Sequence, residues 1–142
     1  MEKKRRKRIK LGDIYAIPLT NGKYAFGRVF KETSIAIYKY IGDSEFDTPN
    51  SEEYLFTVGV YKDVLQDGIW KVIENRPFNN EEEAWPPQEC VIDKLNGSYS
   101  IYHKGEFIPS TKEECEGLEE VAAWDSHHII DRIRGEDKWH KR

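Results

Sequence analysis

The sequence predicts a mainly β domain (α+β): hairpins curled into a strongly twisted antiparallel sheet or an open, SH3-like barrel, with one short C-terminal helix. Three observations carry this. Aromatic residues make up 13% of the chain, mostly tyrosine and phenylalanine, side chains that suit a half-buried pleated surface. Two Asn-Gly dipeptides, Asn21-Gly22 and Asn96-Gly97, each stand between apolar runs, and this pair accepts the positive φ of a tight type I′ turn. No long helical pattern separates the strands, so parallel crossovers are not expected.

The opening stretch, Gly12 to Val29, is the most patterned. It reads as a hairpin about Asn21-Gly22. Pro18 lacks a ladder donor, which places the first strand at an edge or bends it there. Gly27, in mid-strand, predicts a bulge or a close backbone approach. Ser34 to Ile41 is apolar on both faces and reads as a central third strand. Gly42 to Glu53 breaks the pattern as a loop, with Pro49-Asn50 as its turn signal. Tyr54 to Val60 alternates as a fourth strand; Tyr61 to Gly68 is a short helical turn closed by Gly68; Ile69 to Ile73 is a fifth strand.

Asn75 to Gln88, with Pro77, Pro86 and Pro87, forms a second long loop. Glu89 to Leu95 and Ser98 to Ile108 flank the second Asn-Gly turn, and Gly105 turns or bulges the return strand. Ser110-Thr111-Lys112-Glu113 fits a capping box for a short helix. Leu118 to Trp124 is read as extended. Asp125 then caps a helix over Ser126 to Arg134, with Trp124 and Ile129 spaced as a hydrophobic staple and Gly135 as its stop. A helix this short cannot stand alone, so Ile129, Ile130 and Ile133 must dock on the sheet. About seven strands result. The chain divides into a disordered basic tail (residues 1–10), one domain (11–135) and a frayed end (136–142).

The net charge of −4 conceals a division. Residues 1–10 carry seven Lys or Arg and one Glu, a balance of +6; the remaining residues carry 15 basic and 25 acidic side chains, a balance of −10. Such a body repels polyanions and steers basic proteins toward itself. The tail, Lys3 to Lys10, is either a solubilising segment or an arm for nucleic acid or an anionic surface. No run approaches the roughly 18 apolar residues of a membrane span, and no apolar segment follows the basic residues as in a secretory signal. Two cysteines, Cys90 and Cys115, lie far apart in sequence, as in a reduced, cytoplasmic protein.

A search for chemistry returns no catalytic set. His127 and Asp131 share a helix face beside His128, but a third metal ligand nearby in sequence is missing, so no metal and no cofactor are expected. Neither a Gly-x-Ser-x-Gly elbow nor a phosphate-cradling glycine loop is present. Cys115 has no histidine at a spacing that suggests a dyad. What stands out is acid in loops: Asp43, Glu45, Asp47, Glu52 and Glu53 in the first, and Glu81, Glu82 and Glu83 in the second. Phe46 and Trp85 lie among them, aromatics of the kind that anchor protein interfaces. These ten residues are the candidate partner-binding set; the competing reading is a pair of solvated loops.

Gly12-Asp13-Ile14-Tyr15-Ala16-Ile17-Pro18-Leu19 followed by Gly22-Lys23-Tyr24-Ala25-Phe26-Gly27-Arg28-Val29 resembles the signature of the immunity protein 26 family. Phe56 to Val60 with Trp70, and Cys115 through Trp124-Asp125 to Ile133, resemble its later blocks. The resemblance spans Lys10 to Gly135. It implies a cytoplasmic, non-enzymatic antidote, monomeric when free, that binds the cognate toxin of a bacterial polymorphic toxin system. No binding residues carry over from it, and the basic tail lies outside it. Many such toxins are nucleases with basic clefts, which an acidic body would complement. Two alternatives start from the same hairpin. A PemK-like endoribonuclease would use Arg28 on phosphate, and an SH3-like nucleic-acid-binding barrel would use the tail and aromatics. The acidic body opposes both.

Overall fold

The computed structural model describes residues 8–136. Residues 1–7 of the expected 1–10 tail and the end beyond Glu136 lie outside the described residues. In chain order the strands are β1 (Asp13–Pro18), β2 (Tyr24–Phe30), β3 (Ser34–Tyr38), β4 (Tyr54–Val60), β5 (Lys71–Asn75), β6 (Glu89–Ile92), β7 (Tyr99–His103), β8 (Glu106–Ser110), β9 (Glu119–Glu120) and β10 (Ala123–Trp124). The helices are α1 (Lys62–Gln66), α2 (Lys112–Cys115) and α3 (Ser126–Ile133). Two mixed sheets form, ordered β10-β4-β3-β2-β1-β5 and β8-β7-β6-β9. Neither closes into a barrel; the architecture is mainly β as expected, but as two mixed sheets rather than one antiparallel sheet.

The opening hairpin forms as its residues require. Asn21 (φ 62°) and Gly22 (φ 73°) both take the left-handed region, and the Lys23 N–H donates to Thr20 O at 3.3 Å. That is a type I′ turn. β3, buried at every position, lies inside the sheet as expected. β1 is not an edge strand: β5 lies outside it, and Pro18 falls beyond the last β1–β5 pair, Ala16 with Lys71. The missing donor is therefore harmless. Gly27 pairs regularly with Tyr15 and Ile37, without a bulge. A Cβ there would stand 2.4 Å from Ile35 Cδ1, so a packed side chain and not a backbone requires the glycine. The ladder irregularities lie elsewhere, at Ile14/Tyr15 and Ile37/Tyr38.

The C-terminal half departs further from expectation. At Asn96-Gly97 only Gly97 has positive φ (71°); the loop is tied by Asp93, whose Oδ1 accepts from the Leu95 N–H at 2.8 Å. The tight turn of this sheet is instead Lys104-Gly105 (φ 53° and 82°), which splits the long expected strand into β7 and β8. Thr111, not Ser110, caps α2, accepting from the Glu114 N–H at 3.1 Å. Residues 119–124 are extended, as read, but pair in parallel: β9 with β6, then β10 with β4. The β7–β8 hairpin and α2 together supply the crossover length that parallel pairing needs, a role a long helix usually fills.

The core lies on one face of the six-stranded sheet. Tyr15, Ile17, Val29, Ile35, Ile37, Phe56 and Val58 meet Leu65 of α1, Trp70, Trp124 and Ile129 of α3. Each such burial contributes about 1.5–3 kcal/mol. The Tyr15 hydroxyl is satisfied there, donating to Leu65 O at 3.0 Å. Trp124 and Ile129 share this core, and Ile130 and Ile133 pack against it, as the staple and docking arguments require. Asp125 holds the cap position without a side-chain cap hydrogen bond. Arg132 completes the seam, pairing with both carboxylate oxygens of Glu119 at 2.8 and 2.6 Å, its guanidinium 4.0 Å above the Phe56 ring.

Residues 119–124 thus bridge the sheets, and Gly59 admits them. A Cβ on Gly59 would stand 2.7 Å from Ala122 O. Gly59→Ala is expected to cost about 1–3 kcal/mol in urea denaturation, with faster amide exchange at Ala123 and Trp124.

Candidate functional site

The opposite face of the large sheet is covered by loops. Ile14, Ala16, Phe26 and Tyr38 are buried there beneath Tyr24, Tyr40, Tyr54 and Ile73. Arg28 emerges among them from β2, 8% exposed. Its Nε and Nη2 donate to Arg76 O at 3.0 and 2.5 Å, Nη2 also to Pro77 O at 3.1 Å, and Nη1 to Glu52 Oε1 at 3.2 Å and the Tyr54 hydroxyl at 3.3 Å. Phe78 stacks on the guanidinium at 3.8 Å.

Glu52 is the matching acceptor. Its Oε1 accepts from the hydroxyls of Tyr38 and Tyr54 at 2.8 and 2.7 Å, and its Oε2 from Arg76 Nη1 at 2.8 Å. Burial by itself would raise this carboxyl, but those hydrogen bonds and the Arg28 charge hold it below the usual range. Tyr38, buried and bonded to Glu52, is pushed well above the ordinary phenol value. Arg76 also donates to Pro49 O at 2.7 Å and Glu74 Oε2 at 2.8 Å. One polar network therefore fastens both long loops to the sheet.

This network sorts the ten sequence-predicted residues. Glu52 is an internal anchor. Asp43 pairs with Lys23, and Glu45 with Lys71 of β5 at 3.8 Å. Asp47 shapes the turn, accepting from the Tyr40 hydroxyl at 2.6 Å and the Asp43 N–H at 2.8 Å, and the Tyr40 bond leads in lowering its pKa. Phe46, at the same turn, is 70% exposed. Glu53 accepts from Ser51 Oγ at 3.3 Å. In the second loop Glu81 meets Lys31 at 2.6 Å, Glu82 pairs with Lys104, and Glu83 accepts from the Asn79 N–H at 3.0 Å. Trp85 is half-buried beneath the Lys31 ammonium, 4.5 Å from its ring centroid. The 43–47 turn lies by the tip of the opening hairpin, where Tyr24 and Gly42 pair, whereas Glu81 and Glu82 reach Lys31 and the β7–β8 turn.

A second feature lies between the sheets: a groove of ≈ 640 Å³, lined on one side by Glu32, Thr33 and Gly59 and on the other by Glu89, Tyr102 and Phe107. Glu32 (φ 63°) and Thr33 (φ 51°) hold left-handed backbone, a conformation that costs a non-glycine residue about 1–2 kcal/mol. The Val60 N–H bonds to Thr33 O at 2.9 Å and the Tyr102 hydroxyl donates to Glu32. Burial, then the charges of Glu32 and Glu119, push Glu89 up to about 7. Nothing in the sequence signals this meeting, since Glu32 and Glu89 belong to separate sheets.

Asp125, His127 and His128 bring three possible metal ligands within 4.8 Å of one another; Asp131, the expected companion of His127, is not in the group. Cys90 and Cys115 are buried thiols, and burial with the neighbouring Cys115 pushes Cys90 up to about 12, away from nucleophilic use. Fold and site together define a small two-sheet β protein in which Asp43, Glu45, Glu81 and Glu82 of the two long loops meet lysines in ion pairs. The chain belongs to the immunity protein 26 family, whose model matches residues 10–101. No curated protein and no solved structure matches it.

Two outcomes are expected of the carboxylates. Glu52→Ala leaves the buried Arg28 charge short of its counter-ion and should cost about 2–4 kcal/mol in chemical denaturation. Glu89 titrates above the ordinary glutamate value of 4.5, so its contribution is intact below that value and is lost as pH rises through about 7. Glu89→Gln should therefore be more stable than the parent near pH 8, by on the order of 1–2 kcal/mol after solvent screening, with the gap closing near pH 4.5 in thermal melts.

Proposed function

We propose that this chain neutralises a cognate bacterial toxin, a nuclease among the fitting classes, by binding it through the acidic surface in the cytoplasm. It does so without chemistry of its own. Family membership supports a toxin partner in general. The observation that carries the surface is the 43–47 turn: Phe46 stands 70% exposed among Asp43, Glu45 and Asp47, on backbone pinned by the Asp47 carboxylate. An aromatic anchor on a preorganised acidic turn costs little to order on binding. The lysines now facing these acids do not preclude a partner. Exposed pairs such as Glu81–Lys31 add little to stability, so a toxin's cations can replace them.

The endoribonuclease alternative loses its main residue. Arg28 is buried, and its guanidinium is taken up by backbone carbonyls, Glu52 and Tyr54. A phosphate would have to break this network. The test is co-expression with the protein encoded beside this chain in its native locus. Growth should be rescued by the parent chain; toxicity persisting at full expression would overturn the reading. Charge reversal at Asp43, Glu45 and Asp47, or at Glu81, Glu82 and Glu83, should slow association roughly tenfold at low salt while leaving dissociation nearly unchanged. Unchanged association rates for both sets would place the interface elsewhere.

A further inference from the structure

The groove between the sheets is outside both acidic loops, yet it has the features of an anchor pocket. Its rim is apolar and open to solvent: Tyr61 is 50%, Phe107 64% and Val121 45% exposed. Two acids line the groove, exposed Glu32 and half-buried Glu89. Glu32 comes from the β2–β3 turn, held by the Tyr102 hydroxyl, and Glu89 from the first residue of β6. The other charge acting on Glu89, Glu119, is also negative and is already matched by Arg132. Among the described residues no hydrogen bond or ion pair reaches the Glu89 carboxylate. Lys62, at the start of α1, also lines the groove without pairing there. Two carboxylates of like sign, in a half-enclosed cleft with apolar walls, leave a place for one cation carried on an apolar stem.

We propose that this groove seats an arginine or lysine side chain of the toxin, its charged head between the Glu32 and Glu89 carboxylates and its methylenes against Phe107 and Val121. The inference rests on the toxin-binding reading and gives that reading an anchor. Charge complementarity selects the occupant. A purely apolar segment would bury Glu32 and Glu89 uncompensated, and an acidic one would be repelled. A guanidinium can answer both carboxylates at once while its stem covers apolar wall. The left-handed backbone at Glu32 and Thr33 is that of the β2–β3 hairpin turn, which brings Glu32 to the groove.

The experiment has two arms on the full chain. In the first, the peptide acetyl-Leu-Arg-Leu-amide is titrated while backbone amide resonances are followed. Shifts are expected at Glu32, Thr33, Gly105 and Ala122, absent with the Gln-for-Arg peptide and lost in Glu32→Gln and Glu89→Gln chains whose melting temperatures are at least those of the parent. Equal shifts with both peptides, or none at these amides, overturn the proposal. So do shifts at the same amides on dilution, which would mean a second copy occupies the groove, or on removal of residues 1–7, which would mean the chain's own basic end does. In the second arm the neighbouring-locus toxin is bound to parent and variants. Glu32→Gln and Glu89→Gln should each lower affinity at least tenfold, chiefly by faster dissociation. Parent-like affinity in both variants refutes the groove while the toxin-binding reading stands; failure of the parent chain itself to bind refutes that reading and, with it, the toxin as occupant.

Discussion

The arrangement of the loop-covered face depends on the burial of one positive charge. Arg28 sits in the middle of β2 on that face, opposite Ile14 and Ala36. A guanidinium at this depth is tolerable only if its donors are met, because an unpaired buried charge costs several kcal/mol. The residues that meet them come from both long connections: Arg76 O and Pro77 O from the segment after β5, Glu52 and Tyr54 from the segment entering β4. Satisfying Arg28 therefore fixes where the first loop ends and where the second begins. Arg76 extends the same logic by gripping Pro49 O. Each acidic loop is thus tied at one end to a charge that cannot be left alone.

That constraint also divides the acids by role. Glu52 spends its charge inside the fold, and Asp47 spends its carboxylate on the local turn. Asp43, Glu45, Glu81 and Glu82 face lysines across exposed or half-exposed pairs whose energies are small. Glu32 and Glu89 differ from all of these, since among the described residues no ion pair reaches Glu89 and the surroundings are half apolar. In the proposed mode of binding, the loop acids supply long-range attraction and the groove supplies a specific anchor. The first governs encounter and weakens with salt; the second governs residence. Neither requires a reaction at the surface.

How much of this was legible in the sequence follows the range of the interactions. The first hairpin, β3, β4, the turn at α1 and the terminal helix each carry a local signal, and each was read within a few residues. Asn21-Gly22 sets its turn by backbone preference alone. Asn96-Gly97 has the same letters, but Asp93 offers its carboxylate to nearby amides and a wider loop results. β9 and β10 were read as one extended segment; with two residues each they have no period, and their parallel pairing depends on contacts with strands far away in sequence. Pro18 predicts an edge and Gly27 a bulge or a close backbone, and tertiary packing decides otherwise: β5 lies outside β1, and the Ile35 side chain packs over Gly27. At the candidate site, Glu52 could not be told from Glu53 because both are acids in one loop. Arg28 is the partner that separates them, and it lies far back in the chain. The groove carried no signal at all, because it exists only where two sheets meet.

In the proposed mode of binding, the chain meets its toxin with the acid-bearing loops and the inter-sheet groove. Hydrogen–deuterium exchange of the chain, alone and saturated with the toxin from its locus, tests this most directly. The account predicts new protection at residues 42–47, 31–34 and 104–107, with little change at α3. Protection confined to α3 and the Asp125–His128 corner, with the loops and groove exchanging as in the free chain, would contradict it.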